Sequence, residues 1–258
     1  MTHKGPLRLP STFRHMWAAK ALFALLLVAP AGFSLAGEAS SVERLVPDTM
    51  EARVAACVQC HGSHGRAGPD GFYPRIAGKP KGYLLAQLLN FRDGRRNYEP
   101  MRHLLHGLPE DYLSEIAEYF ADMRLPYDAP VQARASAALL ERGRTLAELG
   151  DPSRELPACA ACHGASFSGM EPSIPGLLGL PRDYIVSQLG SWRAGLRDAA
   201  PTDCMAQVAD QLTPEDIAAV SVWLASQPVP ELYVAAPSGT WSLPFACGSD
   251  SSSVEGTR

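Results

Sequence analysis

Cys57-Val58-Gln59-Cys60-His61 and Cys159-Ala160-Ala161-Cys162-His163 are two copies of one pattern, C-x-x-C-H, and they decide how this chain is read. The spacing has a physical reason. On a turn of helix, residues three and four apart share a face. Two sulfurs can then reach the two vinyl groups of one porphyrin while the adjacent imidazole comes beneath the iron. Cys57 and Cys60, and again Cys159 and Cys162, would tie a haem to the chain by thioether bonds, with His61 and His163 as nitrogen ligands. A lone C-x-x-C also suits half a zinc knuckle or a thioredoxin-like redox pair. Zinc would want the pairs closer together, or further ligands at finger spacing, and the sequence has neither. Two C-x-x-C-H motifs in one exported chain point to two covalently bound haem c groups.

Export is read from residues 1–36. Lys4, Arg8, Arg14 and Lys20 give a basic start with no acid, and an apolar run from Ala21 to Ala31 is broken only by Pro30. Ser34-Leu35-Ala36 follows with small residues, so a signal peptide cleaved after Ala36 and a periplasmic location are expected. The apolar run falls short of the roughly 20 residues that span a bilayer. Removing the segment takes four positive charges and moves the formal charge from −4 to −8. Such a chain is unsuited to nucleic acid, which needs a basic surface, and suits steering toward a basic patch on a redox partner. The final stretch, GSDSSSVEGTR, is the only one that reads as disordered.

The chain repeats itself about a hundred residues on. Pro74 to Gly78 aligns with Pro175 to Gly179, and Tyr83, Gln87, Leu88, Phe91 and Gly94 align with Tyr184, Gln188, Leu189, Trp192 and Gly195. Met101 meets Met205, Leu108 meets Leu212 and Tyr119 meets Trp223. The expectation is an all-α fold of two tandem domains, 42–125 and 131–230, with a tail over 231–258. The Pro-bearing stretch 124–131 is the expected linker. Helices are predicted ahead of each motif, over 42–60 with Asp48 as candidate cap and over 131–149. Two more carry i, i+4, i+8 faces from Tyr83 and from Tyr184. The closing helices bury Leu113, Ile116 and Phe120, then Ile217, Val220 and Leu224. Thr213-Pro214-Glu215-Asp216 starts the second closing helix well, whereas Pro109 in the first copy is a poor cap. Domains this small have slight cores, so a chain made without haem should be largely unfolded.

A sixth iron ligand is sought among Met and His. Met101 and Met205 hold matching positions, 40 and 42 residues past His61 and His163, and both are expected in loops ahead of the closing helix. Met50, Met123 and Met170 have no counterparts and read as packing residues. His103 and His106 rival Met101 but have no histidine partner near Met205, and His64 lies too near its attachment helix. Cys204 and Cys247 remain. They could form a disulfide, or the Cys204 thiolate could replace Met205 on the iron.

In these residues the chain resembles the dihaem cytochrome c4 family of periplasmic electron carriers, over nearly all that follows the leader. The match is closest around LPACAACHGA, SIPGLLGLPRDYIVSQL and LTPEDIAAVSVWL. The resemblance implies two class I cytochrome c domains about a pseudo-twofold axis, with His61/Met101 and His163/Met205 as iron ligands. It also implies that the Pro74 and Pro175 carbonyls accept from the histidines' other ring nitrogen. Cys204 and the tail beyond Pro230, with Trp241 and Cys247, depart from the family pattern. The implied function is a one-electron relay, not an enzyme, between redox partner proteins such as a membrane respiratory complex and a terminal oxidase or reductase. Peripheral membrane association is left open. Alternatives are a dihaem enzyme resembling a thiosulfate dehydrogenase or a peroxidase, which needs an open or exchangeable coordination site or a thiolate ligand such as Cys204, and a haem-bearing subunit of a larger dehydrogenase.

Overall fold

The computed structural model describes residues 47–68, 70–130, 134–199 and 201–248. The expected signal peptide and the final GSDSSSVEGTR, save its first residue, lie outside the described residues. Among those described, ten α-helices and no strand occur: α1 (Met50–Arg53), α2 (Ala55–His61), α3 (Lys81–Arg92), α4 (Glu99–Leu105), α5 (Glu110–Asp122), α6 (Ala137–Glu148), α7 (Cys159–His163), α8 (Arg182–Arg193), α9 (Cys204–Gln211) and α10 (Pro214–Ser226). The repeat is visible element by element. Helix α2 answers to α7, α3 to α8, α4 to α9 and α5 to α10.

The helix starts follow local chemistry. Thr213 Oγ1 accepts from Asp216 N at 3.1 Å while Asp216 Oδ2 accepts from Thr213 N at 3.2 Å, a complete capping box. Pro109 gives α5 no side-chain cap. The helix expected over 42–60 is broken instead. Val54, only 2% exposed, turns into the core with non-helical backbone between α1 and α2. Its cap is Thr49, which accepts from Ala52 N, while Asp48 pairs with Arg53. The helix expected over 131–149 begins only at Ala137, where Ser136 Oγ accepts from Leu139 N. Met101 and Met205 stand in helices α4 and α9, not in loops. Pro100 in the first turn starts α4, and Asp203 caps α9 by accepting from Ala206 N at 3.0 Å.

The two halves differ in core. In the second, Leu146, Leu156, Phe167, Ile185, Leu189, Ile217, Val220 and Trp223 belong to one buried cluster. The first half has two smaller groups, one around Val54, Leu84, Ile116 and Phe120 and one around Phe91, Leu105 and Leu113. The described residues that follow α5, up to 130, form no helix and are held at their start. Arg75 donates to the carbonyls of Leu125 and Pro126 and lies 3.9 Å over the Tyr127 ring.

Candidate haem sites

Each C-x-x-C-H motif lies on a short helix whose last residue is the histidine, α2 for His61 and α7 for His163. Both histidines are buried, each 8% exposed. His61 Nδ1 lies 2.9 Å from the Pro74 carbonyl oxygen, and His163 Nδ1 lies 2.7 Å from that of Pro175. A carbonyl only accepts, so Nδ1 carries the proton and Nε2 keeps its lone pair. Burial pushes both imidazoles below the usual histidine range, against the contrary pull of the carbonyls, and this favours the neutral form. Burial likewise raises the Cys57 and Cys162 thiols, and Cys159 to about 11.

Both histidines line one continuous cavity of about 600 Å³, and so do Cys57, Cys60, Cys162, Pro74, Pro175, Met101 and Met205. Cys159 packs at the edge of the second core instead. Leucines and aromatic side chains supply much of the remaining wall, among them Leu84, Phe91, Tyr98, Leu189 and Trp192. His64, His103 and His106 are exposed and lie off the wall. Met170 lines the cavity too, with 5% exposed. Cys204 is joined to Cys247 in a disulfide, which leaves it no thiolate to offer a metal.

Several wall residues escaped the sequence reading. Arg96 donates to Gln87 Oε1 (2.9 Å), Gln188 Oε1 (2.5 Å) and the Tyr184 hydroxyl (3.1 Å). Arg197 donates to Gln188 Oε1 (2.7 Å) and Gln87 Oε1 (3.0 Å). The two guanidiniums meet where the halves join, with no carboxylate among these partners. Burial, and then repulsion by Arg96, lowers the Arg197 pKa. The register would have found them, because Arg96 and Arg197 keep the offset of Gln87 and Gln188. Asp203 is a further one. Besides capping α9 it accepts from Trp192 Nε1 (3.0 Å) and Ala199 N (2.8 Å), which fixes the helix carrying Met205.

The wall fits a porphyrin on two counts. It is mostly apolar, and four basic side chains on it, Arg75, Lys79, Arg96 and Arg197, have no carboxylate partner among the described residues and would suit carboxylate groups such as propionates.

Comparison with known proteins bears this out at the level of family. The chain is 33% identical over 176 residues to cytochrome c4 of Pseudomonas aeruginosa, covering 67% of this chain and 85% of that one. This chain belongs to the cytochrome c4 family. It is thus a dihaem electron carrier built of two class I cytochrome c domains, binds two haem c groups and works with redox partners. It is also 37% identical over 175 residues to the thiosulfate dehydrogenase electron acceptor of Thiomonas intermedia, covering 68% of this chain and 80% of that one. The crystal structure of reduced cytochrome c4 from Pseudomonas stutzeri superposes with a TM-score of 0.60 at 29% identity, over 69% of this chain and 96% of that one. No protein-family model matches the chain. The likeness to cytochrome c4 covers about two thirds of the full chain, the expected leader included.

Proposed function

We propose that this chain is a periplasmic relay that accepts single electrons from a respiratory donor and passes them to a terminal oxidase or reductase. In this reading Cys57 and Cys60 anchor one haem between His61 and Met101, and Cys159 and Cys162 anchor the other between His163 and Met205. The observation that carries the reading is one mostly apolar cavity whose wall includes both histidines and both methionines of the repeat. When bound, each haem supplies a ferric/ferrous couple that needs no open coordination position. The chain's own residues do the rest. The Pro74 and Pro175 carbonyls hold the imidazole planes. Asp203 steadies the helix of Met205, and the apolar wall keeps water from the irons.

An enzyme of the thiosulfate dehydrogenase kind would need an exchangeable ligand, and the disulfide at Cys204 weighs against a thiolate in that role. The 37% identity to a thiosulfate dehydrogenase electron acceptor favours a thiosulfate-oxidising donor for the relay. Mass spectrometry and reductive titration with optical detection test the whole reading. The mature protein should exceed its bare chain by two haems. Met101→Ala and Met205→Ala should each abolish half of the weak long-wavelength charge-transfer absorption of methionine-ligated ferric haem. Retention of the full band in both variants would refute the ligand assignment, and rapid reduction by thiosulfate alone would favour the enzyme.

A further inference from the structure

The described residues beyond α10, up to 248, are fastened to the second half of the repeat. Their first part is sewn to that half. The Tyr233 hydroxyl donates to Phe167 O and accepts from Leu178 N, Ala236 N donates to Gly169 O at 2.9 Å, and Glu171 N donates to Ala236 O at 2.8 Å. From Trp241 onward side chains alternate. Trp241, Leu243, Phe245 and Cys247 are partly buried, whereas Ser242, Pro244 and Ala246 are exposed. A period of two is that of an extended chain lying with one face down.

The two ends of this stretch are fastened to opposite walls. Trp241 Nε1 donates to the carbonyl of Cys162, in the attachment helix, at 3.1 Å. Its ring closes on Gly164, where a Cβ would stand 2.7 Å from the indole. At the other end Cys247 is bonded to Cys204, the residue before Met205, and Gly248 N donates to Thr202 O at 2.8 Å. Leu243 and Phe245, in between, line the cavity. A porphyrin held between His163 and Met205 would have its plane between those walls. A segment running from one wall to the other therefore crosses its edge.

The first half has no such cover among the described residues. After α5 the chain leads instead to Arg75, and no described residue between Phe120 and Cys162 lines the cavity. Phe72 and Leu104, both on the wall, remain 53% and 44% exposed, against Leu196 alone, 49% exposed, among the large apolar wall residues of the second half.

We propose that residues 241–247 form a covalently anchored strap over the edge of the second haem, which shuts that edge to solvent and to other proteins and leaves the first haem as the point of electron exchange. The inference rests on the haem ligation proposed above. Each exchange would remain a one-electron step, in which the partner loses the electron that reduces the first haem from ferric to ferrous before it passes internally to the second. The strap residues take no part beyond exclusion.

The test uses the ferric holoprotein and an uncharged, soluble gadolinium chelate as a contact probe. Haem resonances in the paramagnetic NMR spectrum are assigned to one site or the other with Met101→Ala. The chelate should broaden the first haem's signals several-fold more than the second's. In a variant carrying Trp241→Ser, Leu243→Ser and Phe245→Ser, both sets should broaden alike. Cys204→Ser with Cys247→Ser frees one end only and should give an intermediate result. Equal broadening of both haems in the unmodified protein overturns the proposal, as does undiminished protection in the triple variant. Fewer than two sets of haem signals would strike the ligation reading instead.

Discussion

Asp216 shows how one side chain can serve two elements. It closes the capping box of α10 and pairs with Arg142 and Arg154, each at 2.8 Å, while only 5% of its side chain is exposed. Burial opposes its charge, but hydrogen bonds from Arg154, the Thr213 amide and Arg142 prevail and hold it below the usual carboxylate range. A folded-state value below the unfolded one, about 3.9, gives stability that is complete above the unfolded value and is lost as pH falls through the folded one. Both arginines are partly exposed, which discounts the pairs. Asp216→Asn in the holoprotein should therefore cost about 1–3 kcal/mol at pH 7, read by urea unfolding, and the deficit should shrink below about pH 4. A deficit unchanged at pH 3 would show that charge is not what Asp216 contributes. Thr213→Ala should cost about 1 kcal/mol in the same assay, with no pH dependence beyond that of Asp216.

Between elements, the approach of α6 to α10 is set by Gly143. A Cβ there would stand 2.2 Å from the Ala219 carbonyl oxygen and 2.7 Å from Trp223 Cβ. These are rigid helical parts, so Gly143→Ala must push the helices apart, at about 1–3 kcal/mol. Gly190, in α8, meets nothing within 4 Å, so Gly190→Ala should stabilise by about 0.5–1 kcal/mol through helix propensity. Thermal melts of the two holoproteins check both signs, and a loss at Gly190 would contradict the account. The same contrast explains what the sequence disclosed. Helices α5 and α10 were readable because Leu113, Ile116 and Phe120, like Ile217, Val220 and Leu224, repeat along one buried face. Helices α4 and α9 have seven and eight residues and owe their starts to Pro100 and Asp203, so their short apolar patterns looked like loop. That the paired histidines and methionines would share a cavity was legible because chemistry and repeat agree on them. Arg96 and Arg197 were not singled out, because a charged residue in a repeat usually means a solvated face. The strap's alternation over 241–247 was present but had no counterpart in the first half to draw attention to it.

Across the whole molecule the repeat is unequal, and the inequality has a thermodynamic consequence. The second half has a continuous buried cluster, a capping box, and a tail fastened by the Cys204–Cys247 disulfide. The first has two smaller clusters on the cavity wall and an uncapped α5. A cavity of about 600 Å³ between such clusters does not persist without its occupant, because the apolar wall would collapse or take in water. Each haem thus acts as core, and the first half depends on its own more heavily. Cys57→Ala with Cys60→Ala should therefore remove most helical circular dichroism contributed by α1 to α5. Cys159→Ala with Cys162→Ala should leave part of α6 to α10 folded, since the disulfide still limits the entropy of the unfolded second half. Hydrogen exchange followed peptide by peptide separates the two cases. Fast exchange confined to residues 50–122 in the first variant, against graded protection over 137–226 in the second, is the expected pattern. Equal collapse of both halves in either variant would mean that the seam at Gln87, Gln188, Arg96 and Arg197 couples them into one cooperative unit, in which neither core stands without the other's haem.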